Sequence, residues 1–581
     1  MIQTTLFFIL GPIIISLLYL SVHPKQWKKI LLILAGLFIV LFGYTYLMLP
    51  SRTMKSILGM NFILSLITPF LLNVLAFDDE PKIKRNFSRV EVNPEKQPTN
   101  NKYFYYGTGA VIVILIIGLA VNFISGFSPR SIYQSIDKTT IDADKAPNFN
   151  TKKTVVALSP KTVSNRVNKA VSMIPNSQYY KISSYKNFQA QLIDGKPYYV
   201  IPIEFQDFAS WFYSKRTLPG YFKIDATNPK AMPTFVKKEI KYAPSALFNQ
   251  NAERKMRQST FNFITSNSEP VLEIDDNGTP YFIETLYKTS GLSNKPNYKT
   301  LHVAVMNAQN GKTDIYPVKK APKFIDECIT SDVANDINVA FGSYNHGIQI
   351  IKNKKGRIKP TGEGVEDGVT SIFNDDKTVS YFADFTNINS DNDSGTGYSM
   401  IDARTGQLTY YKNQGMMDAE GAVKNANQEY MNKKWTASMP IIYNISGKPT
   451  WVMQILDKTH ALRGYYYLDA NNQTIYGDGS SIQEAFTAFN QALVNSNDLP
   501  KNTEAMEKET VTGTVDRVAI IDNNVLLAIK GSSRIYTINP NDFSAAPLTK
   551  VGDKVKMTVN IINDKPVGNV KAFKNEIFEK Q

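Results

Sequence analysis

The chain has 581 residues, 43 % of them hydrophobic and 12 % aromatic, so it is too long for one ordinary domain and too apolar for a disordered chain. Its net charge of +14 is divided: residues 1–126 hold 11 Lys and Arg against 5 Asp and Glu, and residues 127–581 hold 54 against 46. A surplus of +8 in the larger part excludes the concentrated basic patch of a dedicated nucleic-acid binder, and the single cysteine, Cys328, excludes an internal disulfide, a zinc ribbon and an iron–sulfur cluster.

Four apolar runs, at residues 4–22, 30–49, 56–77 and 104–126, are each long enough to cross a hydrocarbon core as a helix, which takes roughly 20 residues. No cation precedes the first run and no small-residue cleavage site follows it, so it reads as a retained anchor and not as a signal peptide. The loop after it carries Lys25, Lys28 and Lys29, and the loop 78–103 carries Lys82, Lys84, Arg85, Arg89, Lys96 and Lys102. Only Arg52 and Lys55 lie in the loop between them. Cations concentrate on the cytoplasmic side of a membrane, which predicts loops one and three inside and residues 127–581 outside. Residues 127–160, with Pro129 and Pro147 among Asp and Lys, read as a stalk.

Beyond the stalk a loose repeat emerges: a helix, a tight turn, a long strand and a closing strand ending in Asp/Asn-Ala. The turns are Asp194-Gly195-Lys196-Pro197, Asn277-Gly278-Thr279-Pro280, Asn374-Asp375-Asp376-Lys377 and Ser446-Gly447-Lys448-Pro449. Gly supplies the positive φ that such turns need and Pro sets the exit. The β-prone runs Tyr198–Phe205, Tyr281–Leu286, Val379–Phe385 and Trp451–Leu456 come next in each unit. Strands closing at Asp225-Ala226, Asn307-Ala308, Asp402-Ala403 and Asp469-Ala470 end the units. Helical spacing is predicted at 162–173, 250–264, 323–341 and 418–433, the last with Asp418 as N-cap. A further helix, 481–494, has Ser480 or Ser481 and Glu484 placed as a capping box.

The turn Asp402-Ala403-Arg404-Thr405-Gly406-Gln407 resembles the Asp-Ala-x-Thr-Gly turn of PepSY-type domains, small extracytoplasmic modules with a helix on an antiparallel sheet. The resemblance spans residues 160–495 and is closest over 398–476. Asn307-Ala308-Gln309-Asn310-Gly311 departs at its first residue, and Asp225 and Asp469 lack the Gly. It implies two pairs of α+β units, 161–317 and 318–495, and a role in binding or restraining peptidases or in envelope sensing. After a polar linker at 496–508, five short strands within 509–577 are similar to an OB-type β-barrel.

The patterns for chemistry are sparse. The histidines His23, His302, His346 and His460 form no i, i+4 pair and no His-Glu-x-x-His, so zinc catalysis has no ligand set. Cys328, flanked by Asp326 and Glu327, reads as a buried structural thiol. Ser183 and Lys186 match Ser-x-x-Lys but lead straight into a strand, where the pair cannot share a helical turn. Asn389, Asp391 and Asp393 have the spacing of a weak cation loop, with Ser394 and Met400 where Gly and Glu belong. Around the terminal strands Arg517, Lys530, Arg534, Lys554 and Lys556 have only Tyr536 and Phe573 as stacking partners, short of a single-strand binder. Gly195, Gly278, Gly406 and Gly447 are structural turn positions.

The fold class expected is therefore multidomain: an α-helical membrane anchor, tandem α+β units and an all-β OB-like barrel. The function expected is non-catalytic and cofactor-free: a multi-pass membrane protein binding an envelope protein, peptide or wall polymer, as accessory or inhibitor of an envelope enzyme. The alternatives are an envelope hydrolase with a dispersed active site and a transport or uptake component.

Overall fold

The computed structural model describes residues 1–76, 101–126, 130–149, 154–266, 269–290, 295–344, 356–364, 368–388, 394–445, 447–496, 507–521, 524–562 and 565–578. Most of the loop predicted at 78–103, most of the linker at 496–508 and all of Asn389, Asp391 and Asp393 lie outside the described residues. The chain is a bundle of apolar helices followed by many antiparallel sheets.

The bundle comprises α1 (Ile2–Phe8), α2 (Leu10–Val22), α3 (Trp27–Met48), α4 (Met54–Ala76) and α5 (Asn101–Gly126). The three stretches Pro24–Met48, Met54–Val74 and Lys102–Ile124 are long and apolar enough to cross a membrane. Only 22 %, 22 % and 17 % of their most apolar windows is buried in protein, leaving outward faces suited to lipid. The first predicted run is not one helix: α1 and α2 meet at a bend of 58°. Pro12 explains the break, because it has no N–H to offer the Phe8 carbonyl and its ring crowds that oxygen.

The side chain of Asn61, on α4, satisfies the freed backbone. Its Oδ1 accepts from the Gly11 N–H at 2.7 Å, and its Nδ2 donates to the Phe7 and Ile57 carbonyls, both at 2.8 Å. Gly11 permits the approach, since a Cβ there would sit 2.3 Å from Ser65 Oγ. Asn61→Leu is expected to cost about 1–2 kcal/mol in a bilayer, the range for interhelical hydrogen bonds. Faster amide exchange at Gly11 in lipid nanodiscs would register it; unchanged exchange would show that the bend does not depend on Asn61.

After the bundle come four sheets built around the same four-stranded antiparallel meander, to which the second adds one further strand and the third two. The first runs through Gln189–Ile193, Lys196–Ile201, Leu218–Asp225 and Thr234–Ile240. The second uses Val271–Ile274, Pro280–Thr289, Pro296–Asn307 and Thr313–Pro317. The third uses Thr370–Phe373, Val379–Asn387, Ser394–Asp402 and Leu408–Met417, and the fourth Thr436–Ile445, Lys448–Leu456, Leu462–Asp469 and Tyr476–Gly479. The opening hairpin of each sheet lies at one of the four turns predicted from the sequence. Gly195, Gly278, Gly406 and Gly447 have φ of 70°, 72°, 76° and 80°. The run at 198–205 is split by Pro202, which cannot donate to the ladder; Ile203–Phe205 pairs instead with Tyr180–Ile182.

Helices lie between the sheets, shorter or shifted relative to their predicted spans. They are Pro160–Lys169, Ala252–Met256, Ser331–Tyr344, Ala419–Glu429 and Ile482–Asn495. Asp418 accepts from the Gly421 N–H as N-cap, and Ser481 accepts from Glu484 N–H while the Glu484 carboxylate takes the Ser480 N–H.

Within the predicted stalk 127–160, the described residues 130–149 and 154–160 are not a free tether. Lys138–Asp142 pairs in parallel with Leu408–Lys412 on the edge of the third sheet, and Phe149 N–H bonds the Asn444 carbonyl at 2.7 Å. Ile132, Ile136, Ala143, Ala146 and Leu158 are buried in the main core. Burying these apolar side chains outweighs the solvation that the surrounding Asp and Lys would favour in an extended tether. The terminal strands Glu507–Ile521, Asn524–Ile529, Ile535–Ile538, Lys554–Ile562 and Lys565–Asn575 form a curled sheet. Its two ends meet at one parallel residue pair, Thr537 with Asn569.

Candidate functional site

The hydrophobic and polar patterns of the third and fourth sheets leave a groove of about 440 Å³ between them, with Ala146–Phe149 as one wall. That volume falls in the range of small-ligand and peptide-side-chain sites. Its aromatic lining comes from five positions: Phe149, Phe373, Tyr398, Tyr411 and Tyr443. Tyr398 and Tyr411 face each other across neighbouring strands, stacked at 4.8 Å with an interplanar angle of 13°, and Phe149 meets Tyr443 edge-on at 5.2 Å. Burial pushes the Tyr398 and Tyr411 phenols above their ordinary range, so both stay neutral donors.

The rim is acidic. Asp375 and Asp376 are exposed on the hairpin turn of the third sheet, and Asp402 closes the neighbouring strand at the same end, paired with Ser380. Asp375 accepts from Thr154 Oγ1 at 3.3 Å and Asp376 from Thr378 Oγ1 at 2.6 Å. Asp402 Oδ1 takes the Arg404 and Thr405 N–H groups and the Thr405 hydroxyl, which shapes the turn ending in Gly406. The half-buried rings of Phe149 and Tyr443 and the rim carboxylates make a surface that stacks and attracts cations.

A second polar site joins the helix bundle to the sheets. The loop between α3 and α4 docks on the helix Ala252–Met256 and on Arg257 just beyond it. Arg254 Nε donates to the Tyr46 carbonyl at 2.9 Å, Arg257 donates to Pro50 O at 2.9 Å, and Arg52 donates to Arg257 O at 2.8 Å. This loop and the sheets are therefore on one side of the bundle. Close enough to the arginines to feel their charge, Glu284 is 1 % exposed, and burial raises its carboxyl to about 8; Glu253 adds to the shift while Arg257, Arg52 and the Thr265 hydroxyl oppose it. Burial likewise lowers Arg52 to about 10.

The buried carboxyl sets the sign of a pH dependence. A group raised from 4.5 to about 8 binds its proton more tightly when folded. Its contribution to stability is complete below pH 4.5 and is lost as pH rises toward about 8. Glu284→Gln mimics the protonated form. It should therefore melt close to the parent in acid and above it at the alkaline end, by on the order of 3 kcal/mol. Parallel melting curves for parent and variant across that window would refute this assignment.

The other residues singled out in the sequence are placed apart. Ser183 Oγ donates to Glu204 at 2.5 Å and does not meet Lys186, which lies in a 3-10 turn. His302 bonds the Thr300 carbonyl and packs on Phe263, and His460 occupies a left-handed turn position. Cys328 is fully buried, and desolvation, then Glu273, pushes its thiol up and away from reactivity. Tyr536 and Phe573 are core residues of the curled sheet, so neither ring is available to stack on a base. Among the described residues no group of three or more His, Cys, Asp and Glu is arranged to hold a metal. The groove and the arginine junction were not apparent as sites in the sequence: the aromatic residues there look like ordinary strand filling. The one available signal was Arg254 and Arg257 beside a short helix, with Arg52 in the cation-poor loop.

No protein-family model matches the chain, and no curated protein matches it. Among solved structures, the Bacillus megaterium YpeB C-terminal domain aligns at 12 % identity over 43 % of this chain and 96 % of its own, with a TM-score of 0.11. An endo-1,4-beta-xylanase from Bacteroides thetaiotaomicron aligns at 12 % identity over 50 % and 89 %, with a TM-score of 0.13. The polysaccharide lyase Uly1 aligns at 10 % identity over 68 % and 80 %, with a TM-score of 0.14. At TM-scores this low, none of the three bears on what this chain does.

Proposed function

We propose that this is a membrane-anchored binding protein whose groove between the third and fourth sheets takes a short extended segment of a basic peptide or protein. The observation that carries the reading is the pair of half-buried rings Phe149 and Tyr443, backed by the buried Tyr398 and Tyr411, beside the carboxylates of Asp375, Asp376 and Asp402. Rings stack on flat or cationic groups, and a local excess of carboxylates on a chain of net charge +14 selects for positive partners. The partner is an envelope protein, which the chain holds or restrains as an accessory. We read the helix-then-meander units as PepSY-like and the terminal curled sheet as OB-like, on their turn residues and strand order. The sheets lie outside the cytoplasm, on the strength of the nine cations in the first and third loops against two in the second.

The test uses the full chain purified in detergent, titrated with a short peptide alternating lysine and aromatic residues and, in parallel, with neutral wall-glycan fragments. The peptide should bind, and Asp375→Asn with Asp376→Asn together should weaken it about tenfold, with added salt acting in the same direction. Tighter binding of the neutral glycan, or turnover of either ligand, would replace this reading with a glycan site or an enzyme. For sidedness, protease added to sealed protoplasts should remove a tag placed after Gln581; protection until lysis would place the sheets inside.

A further inference from the structure

The junction between the α3–α4 loop and the second sheet encloses a pocket of about 180 Å³, lined by Leu49, Ser51, Arg52, Arg257, Phe263 and Thr265 among others. Two guanidinium groups meet there without using all their donors. Arg257, 8 % exposed, spends its terminal nitrogens on Pro50 O, Thr265 Oγ1 and Glu253, leaving Nε with no partner. Arg52 spends one nitrogen on Arg257 O, leaving Nε and the other terminal nitrogen buried and unpaired. The same region holds Glu284, whose two carboxyl oxygens also lack hydrogen bonds, and the pocket that both arginines line has the size and the hydroxyls of Ser51 and Thr265 to receive an acceptor of its own.

Charge gives the acceptor its sign. Arg52 and Arg257 line the pocket against a single ion-paired carboxylate, Glu253, while Glu284 is not among the lining residues and burial holds it toward its neutral form. Position gives it a class. Leu49 follows the last residue of α3 and Met54 opens α4, so the pocket lies where membrane spans end and lipid phosphates lie. Its apolar wall of Leu49, Phe263 and Ile264 suits the neck of a lipid, and Arg52 is also held over the Phe261 ring at 5.5 Å.

We propose that this pocket binds a phosphate group, supplied by the headgroup of an anionic phospholipid, through the forked donors of Arg52 and Arg257. Guanidinium geometry matches phosphate oxygens, and a phosphate in the pocket would meet the two lining arginines, drawing their buried nitrogens toward it by a small side-chain shift, while fastening the sheets to the bilayer surface. The site is remote from the groove, so it stands or falls independently of the peptide-binding reading.

The experiment places the full chain in nanodiscs of phosphatidylcholine alone or mixed with phosphatidylglycerol, and measures lipid retained after detergent extraction by native mass spectrometry. A second arm titrates inorganic phosphate into the detergent-purified chain and follows its melting temperature. Phosphatidylglycerol should be retained selectively, and Arg52→Ala should reduce that retention about tenfold, the loss expected of one charge-assisted hydrogen bond. Arg52→Lys should fall between, keeping charge but losing the fork, and it covers the case in which the alanine variant does not fold. Stabilisation by inorganic phosphate that Arg52→Lys weakens, without selective lipid retention, keeps the phosphate site and reassigns its source to free anion. Equal retention of both lipids together with no response to phosphate would overturn the proposal.

Discussion

Trp451→Ala is expected to be the most destabilising single substitution in the sheets, costing about 3–5 kcal/mol for the lost ring alone. Trp451 is 0 % exposed on the second strand of the fourth sheet and reaches across to the third. Its ring meets Phe382 edge-on at 6.1 Å and 89°, and its Nε1 donates to the Met417 carbonyl at 3.0 Å. Met417 N–H in turn bonds the Ala470 carbonyl, so the two sheets are tied at one place by a ring and two hydrogen bonds. Alanine leaves a cavity and an unpaired carbonyl together. Trp451→Phe should keep most of the packing and lose only the hydrogen bond, about 1 kcal/mol. Denaturant melts of both variants separate the two contributions. If alanine and phenylalanine behave alike, packing is not what joins the third sheet to the fourth, and the groove between them needs another support.

Arg404→Ala should act at the other end of the third sheet, with a cost of about 2–3 kcal/mol, the range for losing charge-assisted hydrogen bonds from a half-buried guanidinium. Arg404 stands in the turn after Asp402 and donates to the carbonyls of Ala321 at 2.6 Å and Pro322 at 3.1 Å, and to that of Ile325. Beside it Glu273 is 0 % exposed and accepts the Asp326 and Glu327 N–H groups at 3.0 and 2.9 Å. Burial pushes the Glu273 and Asp326 carboxyls upward, and Arg404 is the cation that opposes the shift in both. Without it both should rise further, so the variant should lose stability more steeply than the parent as pH increases, because the folded state then holds protons that the unfolded state releases. Melting curves recorded from acid to alkaline pH test this. A variant whose deficit is constant with pH would mean that Arg404 serves the three carbonyls alone. Arg404→Lys should recover part of the charge effect and little of the carbonyl bonding, since one ammonium cannot span three acceptors as a planar fork does.

Much of the local structure was legible in the residues. Tight turns announce themselves through Gly195, Gly278, Gly406 and Gly447, since a positive φ excludes most other residues. The caps Asp418 and Ser481 are equally local, each satisfying an amide three residues on. Apolar runs of membrane length need only counting. The departures have a common physical origin: Pro12 and Pro202 interrupt patterns that hydropathy and β-propensity read as continuous, because what they remove is a hydrogen-bond donor. The residues taken as a stalk carry as much charge as a tether would, and nothing local reveals that Ile132, Ile136 and Leu158 have a core to enter.

By itself, then, the order of amino acids determined where the hairpins turn and where two helices are capped, that the first part of the chain is apolar enough for a membrane, and that the sheets come as repeated meanders. Those are properties of φ, periodicity and solvation, each set within a few residues. Only the tertiary structure decided that Asn61 closes the break at Gly11, that Arg52 meets Arg257, and that Phe149, Tyr411 and Tyr443 share one groove. These contacts join residues far apart in the chain, and whether they form depends on how whole surfaces pack, a quantity that no short window of sequence contains.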